Sequence, residues 1–299
     1  MQQKNRIYSL TLGNAETGDG VEITNLQVRF NVSKSADNKK KPSSATVEVY
    51  NLSRNTLNLL SDKFVSCILQ VGYEASGLVT ILTGNVKEIQ TTQQGTDRIT
   101  VLQLGEAFSK LNHSKINALV PPGATVKDVI DTVRKYMPEV ARGNYTGGKL
   151  SSPLPYGYSL NGTPRELLTK LCKEKRMEWR VDGDALYVCE ENGLISTETQ
   201  SAPHISAATG MIGVPYRASE PATKLPKDKT TRKGLKVTTL LNPNIVPGKI
   251  VHVDSPDVKG WYRVNDVTFV GDFRGNDWYA DCFCTSLSET DAELLLVAA

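Results

Sequence analysis

Three histidines, His113, His204 and His252, are the side chains best suited to general acid–base or metal chemistry, and no second histidine lies at ligand spacing from any of them. His252 alternates with apolar residues in a strand-like run, the pattern of a packed or surface histidine. The five cysteines, at 67, 172, 189, 282 and 284, all sit in apolar segments and read as buried free thiols. Cys282 and Cys284, two apart on a strand, share a face, but two ligands do not close a zinc site. Glu190 and Glu191 are adjacent, so in extended chain they point to opposite faces, a poor arrangement for a carboxylate pair. No nucleophile elbow, phosphate-binding glycine loop, HExxH or dinucleotide fingerprint is present. No catalytic residue, metal ligand or cofactor is therefore assigned, and a structural role is expected.

The remaining clustered chemistry is positive charge. Ser33 to Ser44 carries Lys34, Asp37, Lys39, Lys40 and Lys41 ahead of Pro42, between runs in which Leu26, Val28, Phe30 and Val32, then Ala45, Val47 and Val49, alternate with polar residues. Such alternation marks half-buried strands. The segment between them is too polar to pack and too long for a tight turn, so a long hairpin with a protruding basic tip is expected. An exposed tip on a rigid ribbon suits contact with another subunit. A second cluster, Lys224, Lys227, Lys229, Arg232 and Lys233 against Asp228 alone, has no aromatic interleaving to stack bases and reads as a solvated loop.

The elements that must position these groups come from a chain of 299 residues, 39% hydrophobic and 22% charged, with formal net charge +3. That length accommodates two or three small domains, and the charge is too mild to imply nucleic-acid binding by itself. No apolar run is long enough to span a bilayer, and the first ten residues run into a strand pattern instead of a signal-peptide segment. Synthesis in the cytoplasm without membrane insertion is expected.

Six or seven strand-like runs and one short helix, with Ser53 as N-cap and Leu57 and Leu60 on one face, precede residue 112 and suggest an antiparallel barrel. The texture changes at Pro121-Pro122-Gly123. Val126, Val129, Ile130 and Val133 fall at helical spacing after the cap Thr125, and Pro138 ends that helix. Residues 139–157 read as a loop. Thr163-Pro164-Arg165-Glu166 forms a capping box with proline at the first helical position. Asp182-Gly183-Asp184 then turns a hairpin. From Thr209 the β pattern returns and continues to a hairpin tipped by Arg274, Gly275 and Asn276. The expected fold is mainly β with an α+β insertion: a first β-barrel over 1–112, a small α+β module over 113–195 and a second β-barrel over 196–299.

In this order, ATVEVYNLSRNTLNLL at 45–60, TGNV at 83–86, GTPRELLTKLCKEKRMEW at 162–179, GLKVTTLLNPNIVPGKIVHV at 234–253, and GWYRV followed by GNDWYADC resemble the baseplate hub proteins of contractile-tailed bacteriophages. The resemblance spans nearly the whole chain and is similar to the hub of the T4-type tail. It implies two tail-tube-like barrels per subunit and a homotrimer of quasi-six-fold symmetry. That trimer would join a hexameric tail tube protein to a trimeric central spike protein, among other baseplate proteins, and leave a channel that DNA crosses only in transit. It also implies a place in the virion tail, assembled in the host cytoplasm. On this reading Lys34, Asp37, Lys39, Lys40 and Lys41 meet a neighbouring ring, and the basic 224–233 loop lies outside the channel. A tail-associated cell-wall hydrolase and a nucleic-acid-binding β protein are the alternatives.

Overall fold

The computed structural model describes residues 3–13, 20–38, 42–60, 65–196, 202–221 and 231–287. In chain order the first β region holds β1 (Arg6–Gly13), β2 (Gly20–Ile23), β3 (Val28–Ser35), β4 (Ser44–Tyr50), helix α1 (Arg54–Leu59), β5 (Ser66–Tyr73), β6 (Gly77–Gln94) and β7 (Asp97–Gly105). The middle module holds α2 (Phe108–His113), β8 (Ile116–Val120), α3 (Val126–Lys135), β9 (Ala141–Tyr145), β10 (Tyr158–Gly162), α4 (Pro164–Lys175), β11 (Met177–Asp182) and β12 (Ala185–Glu190). A second β region follows with β13 (His204–Ser206), β14 (Met211–Pro221), β15 (Thr231–Leu240), β16 (Ile250–Asp254), β17 (Lys259–Asp272) and β18 (Trp278–Ser286).

The fold is mainly β with an α+β insertion, as expected. The two β regions are joined to each other. Their strands run as one hydrogen-bonded path, β14-β15-β18-β17-β3-β4-β7-β6-β5-β1-β2, with β16 and β13 attached beside β17. Among the described residues no pairing closes either region on itself. The join is the antiparallel ladder of β17 on β3, from Asp266↔Ser35 to Asp272↔Arg29. Apolar packing crosses the same join, since Leu10, Val47, Leu69 and Leu102 share one buried core with Val237, Val253, Phe269 and Trp278. Alternation in the sequence reports that a strand is half buried but not which neighbour it takes, so the continuity of the two regions was invisible to it.

β17 can serve both neighbours because it is long and bulged. Residues 259–263 pair with β16, and residues 266–272 pair with β3, with a register shift between Val264 and Asp266. A bulge re-aims side chains, and here Arg263 and Asn265 are both buried. Further along, Gly271 is required by close packing, because a Cβ there would lie 2.2 Å from the Phe30 ring, which itself stands edge-on to Trp278 at 5.4 Å.

The middle module has its own core of Leu111, Val129, Ile130, Leu168, Leu171, Trp179 and Val188. The cap expected at Thr125 and the capping box expected at Thr163 are both formed, the former as a capping box too. Thr125 Oγ1 accepts from the Asp128 amide at 3.3 Å, and Thr163 Oγ1 accepts from the Glu166 amide at 3.3 Å. β9 falls where a loop was expected; ARGNY has little strand character and is extended by parallel pairing with β12. The Gly183-Asp184 turn is present, both residues having left-handed φ values of 56° and 58°.

Candidate assembly interface

The described part of the β3–β4 connection is not the exposed segment its charges suggest. Lys34 and Asp37 are buried, together with Ser35, Ala36 and Asn38, which corrects the expectation that they lie on an exposed tip. Lys39, Lys40 and Lys41 lie outside the described residues, as does the basic run 222–230. Burial of Lys34 is possible because partners are waiting. Its Nζ donates to Asp182 Oδ1 at 2.5 Å and lies 3.0 Å from Glu106 Oε1. Arg180 Nη1 lies 3.0 Å from the other Asp182 oxygen, Oδ2. One residue beyond Asp37, the Asn38 amide donates to the Trp179 carbonyl at 2.8 Å.

Glu106 follows β7, and the other partners come from β11, read as MEWRVD. Its alternation sends Met177, Trp179 and Val181 into the module core and Glu178, Arg180 and Asp182 to the opposite face. Alternation of this kind ordinarily marks a wet face, yet Glu178 and Arg180 are fully covered by the β17–β3 sheet. Arg263 Nη2 donates to Glu178 Oε2 at 2.5 Å, Arg263 Nε donates to the Gly193 carbonyl at 2.9 Å, and Arg263 also bonds Asn265. The result is a charged seam between the sheet and the module. The alternating signs of Glu178, Arg180 and Asp182 were its one legible signal, a pattern that suits three buried partners as well as water.

Ionisation in the seam follows from that geometry. Burial pushes the Glu106 carboxyl up to about 7, with Lys34 pulling against it. Burial also acts to raise Asp182, but Lys34 and Arg180 outweigh it and hold that carboxylate below its usual range. For Lys34 the penalty of burial is overcome by Glu106 and Asp182, and its ammonium is held above the ordinary value.

The element that does protrude is the β6–β7 hairpin. β5 pairs with β6 only as far as Asn85, while β6 and β7 continue together to Gln94↔Asp97. Residues 87–97 are all exposed, and the last turns carry Gln90, Thr91, Thr92, Gln93 and Gln94 with no charge. The opposite edge of the sheet, β14, exposes Ile212, Val214 (64%) and Tyr216 (60%) around a register shift.

The chemistry-bearing residues stay dispersed or inert. Parallel pairing of β13 with β16 does bring His204 and His252 together, stacked at 5.1 Å, a contact that their separation in sequence hid. Among the described residues, however, no group of three His, Cys, Asp or Glu side chains is placed to hold a metal. Cys282 and Cys284 are buried, and burial pushes the Cys284 thiol up to about 12, far from a reactive thiolate. Glu190 accepts from the Lys149 amide at 3.2 Å and fills the space beside Gly147. A polar cavity of about 510 Å³ is lined by Arg217, Ser219, Lys233, Asp257, Lys259 and Ser286.

No protein-family profile matches the sequence, and no curated protein matches it. Solved structures do. A tail protein from Neisseria meningitidis MC58 superimposes with a TM-score of 0.64 at 12% identity, covering 93% of this chain and 96% of that one. The 43 kDa tail protein of prophage MuSo2 from Shewanella oneidensis gives 0.64 at 11% identity, over 96% and 99%. The E. coli c3393 protein, a component of the type VI secretion system with structural similarity to the T4 bacteriophage tail proteins gp27 and gp5, gives 0.63 at 13%, over 88% and 74%. The chain has the fold of these tail proteins.

Proposed function

We propose that this protein is a structural baseplate hub of a contractile-tail injection machine, either a phage or a related secretion particle. The observation that carries the reading is end-to-end likeness: the two tail proteins match over at least 93% of both partners in each pair, so the whole architecture is shared and not one module of it. A homotrimer would present six sheet halves as a quasi-six-fold ring, stack on a hexameric tail tube protein and hold a trimeric spike protein together with other baseplate proteins. DNA would cross the ring without being gripped, with the basic 224–233 segment outside the channel.

Ring contact in this reading belongs to the β6–β7 hairpin, with Lys39, Lys40 and Lys41 as a second contact. A ribbon whose outer edge has no strand partner past Asn85 among the described residues is suited to adding a strand from a neighbour. Light scattering with negative-stain imaging tests the reading: a trimer bearing a six-lobed ring is expected. A chain that stays monomeric in the presence of its own tube and spike proteins would overturn it. Charge reversal at Lys39, Lys40 and Lys41 is expected to block tube attachment with the fold intact; normal tails from such a mutant would remove those lysines from the interface.

A further inference from the structure

Sheet and module each close their own apolar core, and the two cores are separate clusters. Where β11 meets the sheet, what lies between them is charge. Lys34 from β3, Glu106 after β7, Glu178, Arg180 and Asp182 from β11, and Arg263 from β17 are ionisable and, Asp182 apart, under a tenth exposed. Such a seam behaves differently from an apolar one. Closing it strips water from every charge and regains that loss only through geometry, and opening it returns the charges to water. The apolar interiors on either side have no such compensation when they open.

The chain crosses between the bodies at two places that can act as pivots. One is Glu106-Ala107, where Ala107 adopts a left-handed φ of 44° that a non-glycine residue rarely holds. The other is Gly193–Ile195, tied on the module side by Thr146 Oγ1 donating to the Leu194 carbonyl at 2.7 Å and on the sheet side by the Ile195 amide donating to Gly248 at 3.0 Å.

We propose that the middle module is a docked body that leaves the sheet as a unit, with the Lys34–Asp182 and Arg263–Glu178 pairs as its latch. The inference rests on the two cores and the seam and does not require the hub reading. It defines a motion: β11 lifts from the β17–β3 join while both hydrophobic cores stay closed.

Native-state hydrogen exchange on the full chain, followed residue by residue as urea is raised below the unfolding transition, tests it directly. The Asn38 amide is the reporter because it donates across the seam to Trp179. Its exchange is expected to run about 100-fold faster than that of ladder amides in β4 and in β12, and to accelerate with urea, the signature of a sub-global opening. Lys34→Met should speed Asn38 further without changing the β12 amides relative to one another. Exchange of Asn38 at the rate and urea dependence of the β4 ladder would mean that sheet and module open only together. Fast exchange with no urea dependence would mean fraying of one loop. Either result overturns the proposal, and the wild-type experiment decides it even if the variant fails to fold.

Discussion

Two hairpins leave the first β region, and their sequences invert their positions. β3–β4 carries the charge and has its root buried against the module; β6–β7 carries Gln and Thr at its end and stands in solvent. A lysine side chain goes inside when a fixed set of carboxylates satisfies it, as Glu106 and Asp182 satisfy Lys34, and their arrival depends on strands 70 to 150 residues away. Polarity in sequence thus reports what a side chain can tolerate. Exposure is decided by what the fold brings to it.

If that contrast is right, removing the charge from the buried hairpin should do the greatest damage. Lys34→Met leaves Glu106 and Asp182 facing each other in a buried site, and a loss of about 3–5 kcal/mol is expected from urea unfolding. A loss under about 1 kcal/mol would mean that water reaches the seam and that the two hairpins differ less than their burial suggests.

The pH dependence should follow in size. The folded-state pKa of Glu106 is raised by burial to about 7 from an ordinary 4.5, so the folded protein holds that proton more tightly than the unfolded chain. Its stabilising contribution is complete below about pH 4.5 and is lost as pH rises through about 7, an effect on the order of 3 kcal/mol. Asp182 has the opposite sign: its pKa is lowered, so its contribution is present above the ordinary aspartate value of 3.8 and is lost as pH falls below it. The difference in stability between wild type and Glu106→Gln, measured by urea unfolding from pH 4.5 to 8, should fall with rising pH. A flat difference would show that Glu106 ionises as an ordinary carboxyl. His252, whose pKa is lowered by burial and by His204, tilts both curves the other way below its ordinary value of 6.5 and cancels in that difference.

The same contrast explains what the sequence disclosed. Local grammar was legible: the caps at Ser53, Thr125 and Thr163, the proline at the first position of α4, the glycine turns and most strand positions all depend on neighbours within a few residues. The mainly β class with its helical insertion followed from them. Lys34 and Asp37 were misplaced because their environment is set by the strand carrying Trp179 and Asp182, and the join between the two β regions was hidden because β17 meets β3 more than 230 residues apart. β9 was missed for the same reason, its strand character being supplied by β12.

Within the exposed hairpin, the turn matters more than the strands. Gly95 adopts φ 61° with open space where a Cβ would stand, so Gly95→Ala is disfavoured by backbone conformation alone and should destabilise by about 1 kcal/mol.

The smallest effect is the sharpest test of the comparison. Gln90→Ala and Thr92→Ala remove exposed side chains from a strand whose outer edge is unpaired among the described residues, so stability should stay within about 0.5 kcal/mol of wild type. If this ribbon is a contact surface, its side chains matter only in the assembly. The paired variants should therefore weaken ring-to-tube association, measured by sedimentation of mixed components, while unfolding curves overlay. Loss of stability in the isolated chain would show that the ribbon is structural. Unchanged association would move the contact to Lys39, Lys40 and Lys41, where charge reversal gives the complementary result.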